Sequence, residues 1–113
     1  MDILKSDQEI VKQIIRQYAQ FKPSHGNIRL DTVFDDTQGH YALMQVGWDG
    51  ANKHSRGRRV RGNLIYITLQ DHKIWIEYDG MEQGITDDLI AAGIPQERII
   101  LAFLPDMQDA LAG

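Results

Sequence analysis

The feature that most constrains this chain is a row of short β-type runs between Ile28 and Asp79, separated by turn signals too brief to hold a crossover helix. Strands joined so closely must pair antiparallel, because a parallel return needs about a dozen residues or more. Ile28, Leu30, Thr32 and Phe34 alternate with Arg29 and Asp31, the period of a half-buried strand. Asp35 to Gly39 reads as a turn. From His40 to Trp48 the run is apolar on both parities, with Ala42, Met44, Val46 and Trp48 opposite Tyr41 and Leu43, which predicts an interior strand. Gly50 to Gly57 is polar and basic and reads as a long hairpin loop into a third strand, Arg59 to Leu69. A tight turn at Asp71 and His72 leads to a fourth strand, Ile74 to Asp79, with Ile74, Ile76 and Tyr78 on one face and Trp75 and Glu77 on the other.

Four such strands need a covering layer, and the amino-terminal segment supplies one. Ser6, Asp7, Gln8 and Glu9 spell a capping box, and the helix expected after it places Ile10, Val11, Ile14, Ile15, Tyr18 and Phe21 on one side. Pro23 and Gly26 end it. Beyond the fourth strand, Thr86 is expected to cap a short helix with Asp87 and Asp88 in its first turn, Gly93 to end it and Pro95 to prevent its continuation. Ile99 to Phe103 then reads as a fifth strand, followed by a fraying tail from Asp106 to Gly113. The fold class is therefore α+β: an N-terminal helix on a mainly antiparallel five-stranded sheet, with a second short helix before the last strand. At 113 residues this is one domain, residues 1–113.

Several chemistries lack their apparatus. The chain has no cysteine, hence no disulfide, thiol nucleophile or thiolate metal site. None of His25, His40, His54 and His72 stands at zinc-ligand spacing from another, and each reads as a solvated loop residue. Ser6, Ser24 and Ser55 are the only serines, none in a nucleophile elbow, and no glycine-rich phosphate loop occurs. Apolar runs such as Ile99 to Leu104 are far shorter than the roughly 18 residues of a membrane span, and Met1 to Phe21 lacks a signal-peptide core, so a cytoplasmic protein without a membrane partner is expected. No cofactor is called for.

Two charged constellations remain. Glu77 and Asp79, two apart on a strand, with Glu82 past the Gly80 turn, have a spacing that could gather around magnesium, as in a nuclease. The Glu-x-Lys step usual in such strands is missing, and a polar outer face or an acidic partner-docking face is the simpler explanation. Lys53, Arg56, Arg58, Arg59 and Arg61 fall within nine residues with no acid among them, a pattern that reads as a solvated hairpin tip and is also suited to a protein partner or to DNA phosphates. The stretch has no interleaved aromatics, so base stacking is not indicated. Arg59 and Arg61 share parity with Ile65, Ile67 and Leu69, so either a bulge at Gly62 flips the register or the arginines run past the rim of the core.

The net charge of −4 conceals this segregation. Residues 52–73 hold six basic groups and one acidic group (net +5), whereas residues 74–97 hold six acidic groups and no basic one (net −6). The molecule has two electrostatically unlike regions.

The second half carries a family resemblance. Gly47-Trp48, Arg59-Val60-x-Gly62, the run Lys73-Ile74-Trp75-Ile76-Glu77-Tyr78-Asp79-Gly80, then Glu82, Gly84-Ile85, Leu89, Ala92-Gly93-Ile94-Pro95 and Ile99 to Phe103 with Pro105 resemble the XisI family, controlling factors for excision of the fdxN element. Tyr41 fits the same pattern, and the resemblance covers essentially the whole chain. It implies a non-enzymatic accessory factor of programmed DNA excision, a form of site-specific recombination in cyanobacteria. Such a factor works with an XisH-like companion protein and a site-specific recombinase that performs the strand chemistry on DNA. The chain departs from the family at Leu104 and Gln108, where a His-Pro segment with a nearby arginine is common, and at Met81 in place of threonine. A homodimer is expected as well, because a small open sheet leaves edges and apolar surface to cover.

Overall fold

A computed structural model describes residues 3–21, 27–50 and 53–104. Helix α1 (Ile3–Ala19) is followed by β1 (Asn27–Asp35), β2 (His40–Asp49), β3 (Arg58–Gln70) and β4 (Lys73–Asp79), then α2 (Thr86–Ala91), one 3-10 turn (Gln96–Arg98) and β5 (Ile99–Leu101). The five strands form one sheet in the order β1-β2-β3-β4-β5. β1 to β4 pair antiparallel, and β5 lies parallel to β4 because α2 supplies the crossover.

Both helices lie on one face. Val11, Ile14 and Ile15 of α1 and Leu89 of α2 meet Tyr41, Leu43, Ile65, Ile67, Leu69, Ile74 and Ile76 of the sheet, with Ile85 and Ile94 closing the end. Each of these side chains is buried, and each hides apolar area whose removal from water stabilises the fold by roughly 25 cal/mol per Å². The β1–β2 turn is tied to α1 by polar contacts. The Asp36 carboxylate accepts Lys12 Nζ (2.9 Å) and Tyr41 Oη (2.8 Å), so Lys12 holds Asp36 below the usual carboxylate range while Asp36 raises Lys12. Burial, then Asp36, raises the Tyr41 phenol.

α1 starts at Ile3, ahead of the capping box, so Ser6 to Glu9 are helical rather than an N-terminus. The reason is tertiary: Asp7 is buried and receives the guanidinium of Arg98, which also donates from Nε to the His72 carbonyl at 2.8 Å. That contact draws the first turns onto the β3–β4 hairpin. Phe21 falls beyond the last turn and is exposed, not part of the buried stripe. Thr86 is the first residue of α2, not its cap; the Ile85 amide that precedes it is satisfied by Asp79 Oδ2 at 2.8 Å. The other end of α2 is as expected. Gly93 takes φ +105, its amide bonds Ile90 O, and the Ile94 amide reaches back to Leu89 O, which is a Schellman closure with both apolar residues buried. β5 stops at Leu101, although the Ala102 amide still donates to Ile76 O. The tail from Asp106 lies outside the described residues.

Two bulges reorganise the sheet. Between the pairs Leu43↔Ile65 and Met44↔Asn63, β3 carries one extra residue, Leu64. Between Ile67↔Ile76 and Tyr66↔Tyr78, β4 carries one extra residue, Glu77. Each inserted residue reverses the inside–outside parity of what lies beyond it. The Gly80 amide donates to the carbonyl of Leu64 at 2.7 Å, so the first bulge is held from β4. Gly62, with φ +143, eases the approach to that bulge but is not the inserted residue.

Candidate functional site

The face of the sheet opposite the helices has no covering element among the described residues. Cross-strand register shows which side chains stand on it. One row is Asn27, Trp48 and Arg59; the next is Arg29, Val46 and Arg61; then come Asp31, Met44 and Asn63, and Val33, Ala42, Tyr66 and Tyr78. His40, Thr68 and Trp75 close the far end. The two bulges decide this membership. Leu64 moves Arg59 and Arg61 off the parity of Ile65, Ile67 and Leu69 and onto the uncovered face, and Glu77 moves Tyr78 away from Ile74 and Ile76 to stand beside Tyr66. The expectation that Ile74, Ile76 and Tyr78 share a face is thereby corrected: Tyr78 is 46% exposed while the two isoleucines are buried.

At one end the face is basic and aromatic. The Arg59 guanidinium carbon lies 5.4 Å from the centroid of the Trp48 ring, and Arg59 Nη1 donates to Gly47 O at 3.3 Å. Gly47 is required here by close approach: a Cβ would sit 1.9 Å from the carbonyl oxygen of Asn27. A cavity of about 430 Å³ opens beside these groups, lined by Arg29, Val46, Trp48 and Arg59 among others. At the other end the rings of His40 and Tyr66 stack with centroids 5.8 Å apart, and His40 Nδ1 lies 2.6 Å from Tyr66 Oη. His40 is thus half-buried in the sheet rather than a solvated loop residue. The Tyr78 ring lies over Gly80, where a Cβ would come within 3.0 Å of it. Between the two ends, Ala42, Met44, Asn63 and Tyr66 line a shallow cavity of about 270 Å³.

The basic group selected from sequence is brought together only in part. Lys53 and Arg56 are exposed before β3, Arg58 stands 3.8 Å from Asp49, and Arg59 and Arg61 join the uncovered face. Arg29, two strands earlier in the chain, joins them through the β1–β2 pairing and is bonded to Asp31 at 2.9 Å. Trp48 and Tyr78 were missed as companions of these arginines because their nearness is cross-strand. The available signal was Trp48 itself, a large aromatic on the parity opposite the buried Tyr41 and Leu43.

The acidic group does not assemble. Asp79 pairs with Ile65 on the helix-covered side, and its two oxygens accept the amides of Met81 (3.0 Å) and Ile85 (2.8 Å). Glu77 is the bulge residue, so the period-two relation to Asp79 fails, and Glu82 is exposed in the following turn. Among the described residues no three of His, Cys, Asp and Glu form a group able to hold a metal ion. Nor is any helix among them long and apolar enough to cross a membrane.

Helices confined to one side, an antiparallel sheet with a parallel edge strand and an uncovered face define a small two-layer α+β protein of the XisI-like fold. The chain belongs to the XisI family, whose model, XisI protein, matches residues 1–113. It is similar to the crystal structure of an XisI-like protein from Anabaena variabilis, with a TM-score of 0.78 and 28% identity over 90% of this chain and 88% of that one. It is also similar to the fdxN element excision controlling factor XisI from Anabaena variabilis, with a TM-score of 0.69 and 33% identity over 92% of this chain and 89% of that one. Among curated proteins, none matches.

Proposed function

We propose that this protein is a controlling factor in excision of a DNA element, and that it acts by docking an XisH-like companion protein while a recombinase cuts and rejoins the DNA. Family membership and the relative named as an excision controlling factor support the role in excision. The observation that carries the docking reading is the separation of uncompensated charge. Among the described residues, Lys53, Arg56, Arg59 and Arg61 have no acidic partner, and Glu77, Glu82 and Asp87 have no basic one. A surface divided in this way steers a complementary partner and rejects a like-charged one. Co-purification with the companion, followed by association kinetics, tests the reading. Glu82→Lys with Asp87→Lys slows association and weakens its salt dependence; no association at micromolar concentration of both proteins sinks the proposal.

A further inference from the structure

We infer that the uncovered sheet face binds single-stranded nucleic acid, with phosphates on Arg29, Arg59 and Arg61 and bases stacked on Trp48 and Tyr78. This site shares Arg59 and Arg61 with the charge separation behind the docking reading but does not rest on that reading, whose test falls on Glu82 and Asp87. Three observations combine.

First, the three guanidinium groups occupy adjacent rows of one face, where none was grouped in the sequence with an aromatic ring. Among the described residues Arg59 and Arg61 have no acidic partner, so their charge is available to an anion, and Arg59 is already aligned by Trp48 and the Gly47 carbonyl. A planar guanidinium held in this way matches phosphate oxygens with little further ordering. Second, the exposed aromatics sit on rigid strands. Trp48 is 37% exposed and Tyr78 46% exposed, with Tyr78 backed by Gly80. Every base has a π-face, so such rings accept any sequence. Third, Trp48 and the Ala42–Tyr66–Tyr78 row are six residues apart along β2, about 20 Å at the rise of a strand. The half-buried Met44 and Ala42 and the Asn63 amide bridge that distance as a shallow trough. The path therefore leads from a cationic end to an aromatic end, the pairing of electrostatic track and stacking platform that unpaired strands need.

Two other occupants fit less well. A duplex keeps its base faces inside the stack, so Trp48 and Tyr78 have nothing to stack on and only the arginines contribute. A second copy packed on this face would bury Arg59 and Arg61 where the acids of the same rows are already engaged, Asp31 by Arg29 and Asp35 by the amides of Thr37 and Gln38, and an uncompensated buried charge is costly.

The test is fluorescence anisotropy of the full-length protein with a labelled single strand of about ten nucleotides, a length within the range one small sheet-based module occupies, and with the matching duplex. The expected result is saturable binding of the single strand, at least about tenfold tighter than the duplex. Arg59→Ala with Arg61→Ala reduces the slope of log affinity against log salt by about 0.7 per arginine. Trp48→Ala or Tyr78→Ala weakens binding about tenfold with the salt slope unchanged, and Trp48→Phe or Tyr78→Phe restores most of it. Circular dichroism melts of the same variants show that the fold persists. The inference is overturned by absence of single-strand binding at low salt, or by equal duplex binding indifferent to Trp48 and Tyr78. It is equally overturned if the protein sediments as a dimer that Val33→Arg or Tyr78→Arg converts to a monomer, since the face is then covered by a second copy.

Discussion

Replacing Arg98 by methionine tests the contact that joins the two ends of the chain. Arg98 lies just before β5, yet its guanidinium reaches the buried Asp7 carboxylate in α1 and the His72 carbonyl in the β3–β4 turn. Methionine keeps most of the apolar stem, so the change removes charge and hydrogen bonds rather than packing. Asp7 is then left 4% exposed without a cation. Breaking a buried pair by removing one partner leaves an uncompensated charge, at a cost of about 3–5 kcal/mol. The lost bond to the His72 carbonyl adds about 1 kcal/mol, and local relaxation takes some back, so the expected loss is about 3–4 kcal/mol at pH 7.

Urea unfolding at pH 7 measures the loss, with the m-value checked for constancy. A loss under 1 kcal/mol refutes the argument. The double change Asp7→Leu with Arg98→Met recovers much of the loss, because an apolar pair of similar volume replaces an ion pair at little cost.

Three further outcomes follow from individual contacts. Gly47→Ala places a Cβ 1.9 Å from the Asn27 carbonyl oxygen, so β1 must shift by about 1 Å or more; a loss of about 2–3 kcal/mol in urea melts and faster amide exchange in β1 are expected. His72→Gly relieves one of the two left-handed positions of the β3–β4 turn, φ +59, and raises stability by about 0.5 kcal/mol, read as a small increase in Tm. Burial, then the Asp88 carboxylate, pushes the Tyr18 hydroxyl up to about 12, so between pH 10 and 12 the unfolded chain loses a proton that the folded one keeps, and stability declines with rising pH. Tyr18→Phe makes that alkaline decline shallower, measured by urea midpoints across the range.

Much of the fold was legible because it depends on local pattern. Ile10, Val11, Ile14 and Ile15 mark the packed side of α1 through their spacing alone, Asp71-His72 marks a two-residue turn, and Gly93 before Pro95 marks where α2 must stop. Family membership rests on the order of such segments and was legible for the same reason. The candidate face was not. Alternation tells which residues of one strand share a side, but an inserted residue is defined only by the partner strand, so nothing within Arg58–Gln70 singles out Leu64, nor within Lys73–Asp79 Glu77. The start of α1 was misplaced for a related reason: Asp7 is drawn into the fold by Arg98, 91 positions away. The amino-acid sequence by itself determined the elements, their order and the separation of basic from acidic segments. Only the tertiary structure decided that Arg29, Arg59, Arg61, Trp48 and Tyr78 stand on one uncovered face, because cross-strand register is a property of paired strands and not of either strand alone.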